Sequence, residues 1–203
     1  MSSSHRPLVS TLIEASDSVL VVIDVQDAFV NKLSSERRQP LVDRIAWLVR
    51  IAKELDIPLV VTAEDIPVLG GVCAKIEEAI SGGAVTTPTV WNKMVFGLAG
   101  QPEIMKAIEE TNRKTIILVG LETDVCVAHS SLGLLEMGYK VAVVQDATGS
   151  PGAAHQYGLQ RMENAGIVMS SVKGLYFEWM RTVARDNEFK EKMKDSLDPP
   201  VDL

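Results

Sequence analysis

The chain has 203 residues, 46% of them apolar, and a formal net charge of -7 with no basic block. That length suits one domain spanning 1–203, with an N-terminal arm at 1–17 and an exposed tail at 195–203. The charge argues against a nucleic-acid partner. The apolar runs fall far below the ~20 residues that cross a membrane, MSSSHRPLVS lacks the apolar core of a signal peptide, and two cysteines make no disulfide framework, so a reduced cytoplasmic protein is expected.

Residues 1 to 17 are polar and read as an arm with little structure of its own. Ser18 to Val25, SVLVVIDV, is a β-branched run without alternation, the pattern of a strand buried on both faces of a parallel sheet. It leads into Gln26 and Asp27. Residues 31 to 39 read as a polar loop, and Pro40 opens a helix at a position proline tolerates. Leu41, Ile45, Leu48, Ala52 and Leu55 share one face of that helix. Pro58 precedes a second strand, Leu59 to Thr62. Gly70-Gly71 and Gly82-Gly83 bracket a short helix near Val72 to Ile80. Thr89-Val90-Trp91 form a short third strand ending in Asn92-Lys93, and a loop from Phe96 to Gly100 leads to a helix over Gln101 to Thr111.

Thr115 to Val119 is a fourth strand, stopped at Gly120. A polar elbow, Leu121-Glu122-Thr123-Asp124, follows, then Val125 and Cys126, and an apolar helix over Val127 to Met137. Lys140 to Val144 is a fifth strand, Pro151 to Ala165 a helix and Ile167 to Met169 a sixth strand. Val172 to Arg185 is a helix, with Asn187 to Lys194 a further helical candidate. Strands alternating with helices predict a three-layer α/β/α sandwich around a six-stranded, mostly parallel sheet. Right-handed crossovers and a Rossmann-like order 3-2-1-4-5-6 are the default. Sites in such folds lie in the crevice at the carboxyl ends of the strands. Asp24, Lys93 and Cys126 all fall on that edge.

Each of the three has an ordinary reading. A free cysteine is more often inert packing, and Cys73, near Gly70, Gly71 and Ala74, is read that way. Cys126 differs because it stands between a strand end and a helix start, where free N–H groups and the helix dipole favour a thiolate. Asp24 alone is a turn aspartate capping the next segment, or else a carboxylate serving the thiol as base. Lys93 alone is solvated surface, or else a cation that lowers the thiol pKa. Their joint placement is harder to dismiss than any one of them.

The segments VVIDVQDAF, WNKMVFG and VGLETDVCV resemble, in that order and spacing, the isochorismatase-like cysteine hydrolases. That superfamily includes nicotinamidases, carbamoylsarcosine amidohydrolases and isochorismatases. The resemblance spans residues 18 to 180, and its most specific element is Gly120, Thr123 and Cys126 at intervals of x-x. It implies a catalytic triad of Asp24, Lys93 and Cys126. Cys126 attacks a carbonyl or related carbon, Asp24 takes the thiol proton and later donates it to the leaving amine, and Lys93 stabilises the charged pair. It also implies a cis, non-proline peptide at Leu121-Glu122 that aims the N–H groups of Glu122 and Cys126 at one point as an oxyanion hole. A small-molecule substrate, no cofactor and a homo-oligomer, dimer or tetramer, complete the expectation.

The departures narrow it. Nicotinamidases carry a metal-binding aspartate-x-histidine followed by proline after strand two, whereas this chain has Glu64-Asp65-Ile66-Pro67. Ile66 cannot bind a metal, and His5, His129 and His155 are scattered, so no metal site is expected. Gly97 stands where many relatives have serine. Three functions compete. The first is a metal-independent cysteine hydrolase cleaving a C–N bond of a small amide or ureide through a thioester-type intermediate. The second is a vinyl-ether hydrolase with Asp24 as general acid; its dianionic substrate calls for at least two cations, and Lys93 is the one that can be assigned. The third is a non-enzymatic binding role on the same scaffold. DVQDAF after the first strand lacks the glycines that let a backbone approach phosphate, which disfavours a nucleotide-binding protein. Phe29, Trp91 and Phe96 adjoin the motifs as candidate pocket walls or as core.

Overall fold

The computed structural model describes residues 11–82, 88–193 and 198–203. A 3-10 turn, Ala15–Asp17, leads into β1 (Ser18–Ile23), then α1 (Asp27–Val30), α2 (Ser35–Glu54) and β2 (Leu59–Glu64). Next come α3 (Ile66–Leu69), α4 (Ala74–Ser81), β3 (Val90–Lys93), α5 (Pro102–Glu110) and β4 (Thr115–Leu121). A π-helical turn, Thr123–Val127, runs directly into α6 (Ala128–Glu136). The remaining elements are β5 (Lys140–Gly149), α7 (Ala154–Asn164), β6 (Val168–Ser170), α8 (Val172–Met180) and α9 (Val183–Lys192).

The six strands form one sheet in the order β3-β2-β1-β4-β5-β6, and every pairing is parallel. This is the expected doubly wound arrangement. Every residue of β1 and β4 is buried, which explains why both read as unbroken apolar runs. Side chains alternate between two cores. Leu20, Val22, Ile117 and Val119 face α2, α4 and α8, while Val19, Val21, Ile116 and Leu118 face α5, α6 and α7.

Several boundaries differ from the sequence reading. The helix assigned to Pro40 starts earlier, at Ser35, with Pro40 inside it. Residues 35 to 39 are polar because that end of the helix is exposed, which looks like a loop when apolar periodicity is the guide. β5 continues to Gly149 past an irregularity in its pairing with β4. The helix expected over Val172 to Arg185 is two helices, broken at Arg181, whose φ is 66°. Thr182 restarts the chain by accepting the Arg185 N–H at 3.2 Å, a side-chain cap.

The arm and tail are less detached than expected. Ile13 is fully buried and its N–H donates to the Glu178 carboxylate, so residues 13 to 17 belong to the packed body. Val201 and Leu203 pack against the core on the α2 face. The start of the chain, residues 1 to 10 with His5, and Gly83 of the bracketing glycines lie outside the described residues.

Candidate active site

The carboxyl ends of β1, β2, β3 and β4 meet at one point. Asp24 follows Ile23, which pairs with Thr62 of β2 and with Gly120 of β4. Its backbone turns sharply there, with φ at 49°, a conformation aspartate tolerates better than most residues. The Asp24 N–H donates to the Thr62 carbonyl at 3.1 Å, and the Thr62 hydroxyl donates to Asp24 Oδ1 at 2.8 Å. Lys93 is the last residue of β3 and stands opposite Glu64 in the β2–β3 register. Gln26 clamps that end of β2: it accepts the Glu64 N–H at 2.7 Å and donates to the Glu64 carbonyl at 2.8 Å.

Cys126 comes from the other side, on the π turn after β4. At Gly120 φ is 122° and an added Cβ would fall 2.0 Å from the Ile23 carbonyl oxygen, so β4 approaches β1 this closely only with glycine. The Leu121-Glu122 peptide is cis. The turn is pinned by Thr123 Oγ1 with His155 Nδ1 at 2.8 Å and by the Ser150 hydroxyl donating to Asp124 Oδ1 at 2.6 Å. α7 rests directly on it, because a Cβ on Gly158 would lie 2.7 Å from Asp124 Cα.

Asp24 and Lys93 have no exposed side-chain surface, and their Oδ2 and Nζ are 2.9 Å apart. Lys93 Nζ also lies 3.6 Å from Cys126 Sγ and donates to the Val95 carbonyl at 2.6 Å. A fourth group completes the cluster. Glu64 Oε2 is 3.3 Å from Lys93 Nζ and accepts from Cys126 Sγ at 3.4 Å. The sequence reading treated Glu64 only as part of a lost metal motif. The signal that finds it is strand register: once β2 extends to Glu64, that residue stands opposite Lys93.

Burial pushes the Asp24 carboxyl above its ordinary range, opposed by the Lys93 charge and by hydrogen bonds from Lys93 and Thr62. Burial alone would lower Lys93, but the charges of Asp24, Cys126 and Glu64 outweigh it and hold the ammonium. Burial also pushes the Cys126 thiol well up; the Asp24 and Glu64 charges add to this, while Lys93 opposes it. Burial and the two carboxylates therefore oppose ionisation of the resting thiol. This differs from the thiolate expected at a helix start, because Cys126 lies inside a buried π turn between two carboxylates.

Among the described residues, Asp24, Glu64 and Cys126 are the group with metal-ligand spacing, their donor atoms within 4.8 Å of one another. Lys93 Nζ lies 2.9 Å from Asp24, 3.3 Å from Glu64 and 3.6 Å from Cys126, so an ammonium places positive charge beside all three. The candidate wall residues are less close-knit. Phe29 packs in the core on the α2 face beneath Lys32, whose Nζ is 4.6 Å from its ring centroid. Trp91 packs against the opposite core, and Phe96 is 56% exposed, edge-on to His129. Lys32 pairs with Glu122 at 3.2 Å. A Cβ on Gly97 would meet the His129 carbonyl oxygen at 3.1 Å, so a serine there needs the backbone to give way slightly.

Known proteins share both sequence and architecture with this chain. The model of the isochorismatase domain matches residues 18–173. The secreted isochorismatase effector Isc1 of Phytophthora sojae is 31% identical over 180 residues, covering 87% of this chain and 83% of its own. YcaC from Pseudomonas aeruginosa, solved with hexane-2,5-diol and covalent acrylamide, superposes with a TM-score of 0.79 at 23% identity, covering 92% of each chain. The YcaC gene product of Escherichia coli, an octameric hydrolase of unknown specificity, gives a TM-score of 0.79 at 20% identity over 93% of this chain and 92% of its own. The family match covers most of the chain, including every element that brings Asp24, Glu64, Lys93 and Cys126 together, and the chain belongs to the isochorismatase family of hydrolases.

Proposed function

We propose that this protein is a metal-independent cysteine hydrolase that cleaves a C–N bond of a small amide or ureide. The observation that carries this reading is the buried ammonium of Lys93, 2.9 Å from the Asp24 carboxylate and 3.6 Å from the Cys126 sulfur. Such a cation stabilises the negative charge that appears on sulfur as the thiol is deprotonated. Asp24 Oδ2 faces the Lys93 ammonium at 2.9 Å, and its second lone pair can receive the thiol proton. Its raised pKa brings it nearer to the working range of a general base.

In this reading the substrate carbon approaches Cys126, and Asp24 takes the thiol proton as the C–S bond forms. The N–H groups of Glu122 and Cys126 serve the developing oxyanion. Asp24 then donates its proton to the leaving nitrogen, and a thioester-type intermediate remains. Water hydrolyses it. The fold-mate from Pseudomonas aeruginosa carries covalent acrylamide, an electrophile whose capture requires a nucleophile in that protein. A cytoplasmic, homo-oligomeric enzyme acting on a small molecule is part of the proposal, and the octameric fold-mate from Escherichia coli supports the assembly. Among the described residues no helix is long and apolar enough to cross a membrane. A panel of small amides and ureides with ammonia release as readout tests the activity. Release from at least one member, lost in Cys126→Ala, is expected; silence across the panel together with hydrolysis of an enol ether would overturn it.

A further inference from the structure

We propose that Glu64 is a second catalytic carboxylate, the base that activates water to hydrolyse the acyl-enzyme; this rests on the covalent role of Cys126 argued above. The thiol at rest donates to Glu64 Oε2 across 3.4 Å. Asp24 has no exposed side-chain surface, whereas 21% of the Glu64 side chain is exposed. The Asp24 carboxylate is turned inward, with Oδ1 accepting the Thr62 hydroxyl and Oδ2 paired with the Lys93 ammonium. Water attacking a thioester on Cys126 arrives from solvent, and of the two carboxylates at the sulfur Glu64 is the one on that side. Fully buried Gln26 grips the Glu64 backbone through both its N–H and its carbonyl, so this base stands on a fixed strand end.

The step balances without an oxidant or a cofactor. By the time the acyl-enzyme exists, Asp24 has returned the thiol proton to the leaving nitrogen. The water oxygen bonds to the acyl carbon while Glu64 takes one water proton. The C–S bond then breaks with its electron pair on sulfur, and Glu64 hands the proton to Sγ. The acid product keeps the water's hydroxyl. The enzyme returns to a neutral thiol donating to a Glu64 carboxylate, the contact present at rest. Asp24 thereby serves acylation and Glu64 deacylation, a division that suits one buried and one partly exposed group.

The test uses the full chain with p-nitrophenyl acetate, an activated ester that acylates thiols. Wild type should release nitrophenolate steadily. Glu64→Gln should give a burst of about one equivalent per site and then a steady rate about 10²-fold below wild type, the usual scale of general-base catalysis. Intact mass should show an acetyl group on Cys126 of that variant. Hydroxylamine, a nucleophile that needs no base, should restore its turnover. Glu64→Asp, which withdraws the carboxylate by one methylene, should fall between the two, and Asp24→Asn should slow nitrophenolate release with no burst and no acetyl adduct. Glu64→Gln turning over like wild type, or slowing without an acetyl adduct and without response to hydroxylamine, overturns the role of Glu64. Cys126→Ala that turns over the ester like wild type overturns the covalent reading itself, and with it the deacylation step.

Discussion

Glu64 and Lys93 stand opposite each other in neighbouring parallel strands, and their side chains meet at 3.3 Å beside the Cys126 sulfur. The cation of the site is thus placed by strand pairing and not by a loop. Its partner Asp24, just beyond the end of β1, is held to β2 by Thr62, whose carbonyl accepts the Asp24 N–H and whose hydroxyl donates to Oδ1. A site built on strand ends keeps its geometry without substrate, which lowers the cost of reaching the reactive arrangement.

Lys93→Met should unmask that charge balance. It leaves the Asp24 carboxylate buried without its cation, a change that typically costs about 3–5 kcal/mol. The raised pKa of Asp24 rises further in the variant, because burial remains and the opposing Lys93 charge is gone. A carboxyl with a raised folded pKa binds its proton more readily when folded, so stability increases as pH falls toward the unfolded value of 3.8. Urea unfolding at neutral and mildly acidic pH should therefore show the deficit shrinking with acidity; a deficit independent of pH would contradict it.

Cys126 should be the thiol that reacts first. Both cysteines are buried, and burial raises both pKa values, but among the described residues Lys93 stands beside Cys126 and no cation stands at hydrogen-bond distance from Cys73. Iodoacetamide labelling with peptide mapping should find Cys126 modified ahead of Cys73, with activity lost in step. The opposite order would remove the case for a reactive Cys126.

Asp24→Asn, Lys93→Met and Cys126→Ala should each lower turnover by about 10³-fold or more, and the triple variant little further, because residues that act as a unit have non-additive losses. The vinyl-ether mechanism predicts another ordering, with Asp24 essential and Cys126 nearly dispensable. Turnover of the three single variants on one confirmed substrate separates them.

Exhaustive chelation should leave activity intact, since the Lys93 ammonium supplies the positive charge among Asp24, Glu64 and Cys126. Loss of turnover on chelation, restored by added zinc, would reverse that assignment.

The chain should sediment as a homo-oligomer, a dimer or tetramer, at micromolar concentration. Closed symmetric assemblies are the usual outcome for soluble chains. Sedimentation showing nothing above the 22.1 kDa chain would contradict it.

The sheet was legible because its strands are buried on both faces, and continuous β-branched runs such as SVLVVI carry that signal without help from neighbours. The shared sheet edge of Asp24, Lys93 and Cys126 was legible because each stands at or beyond the carboxyl end of a strand. Glu64 was not, since the apolar run of β2 stops at Ala63 and nothing in composition says the strand goes on pairing. The resistance of this thiol to ionisation was hidden for a related reason. A helix start suggests activation, but only the packed structure shows a π turn and two carboxylates around the sulfur. The break at Arg181 was equally invisible, because arginine carries no local sign of a left-handed turn.

The contact between α7 and the turn of Cys126 reaches beyond chemistry. Glycine at 158 has no functional group, yet any larger residue pushes helix backbone against Asp124. A random-mutagenesis screen scored on lost turnover will therefore flag this position beside the triad. Its neighbour Tyr157, 67% exposed, should pass through the same screen almost silent. A mutational map of this helix will look like a functional hot spot one residue wide, and reading it as a contact with substrate would send an engineer to the wrong wall of the protein.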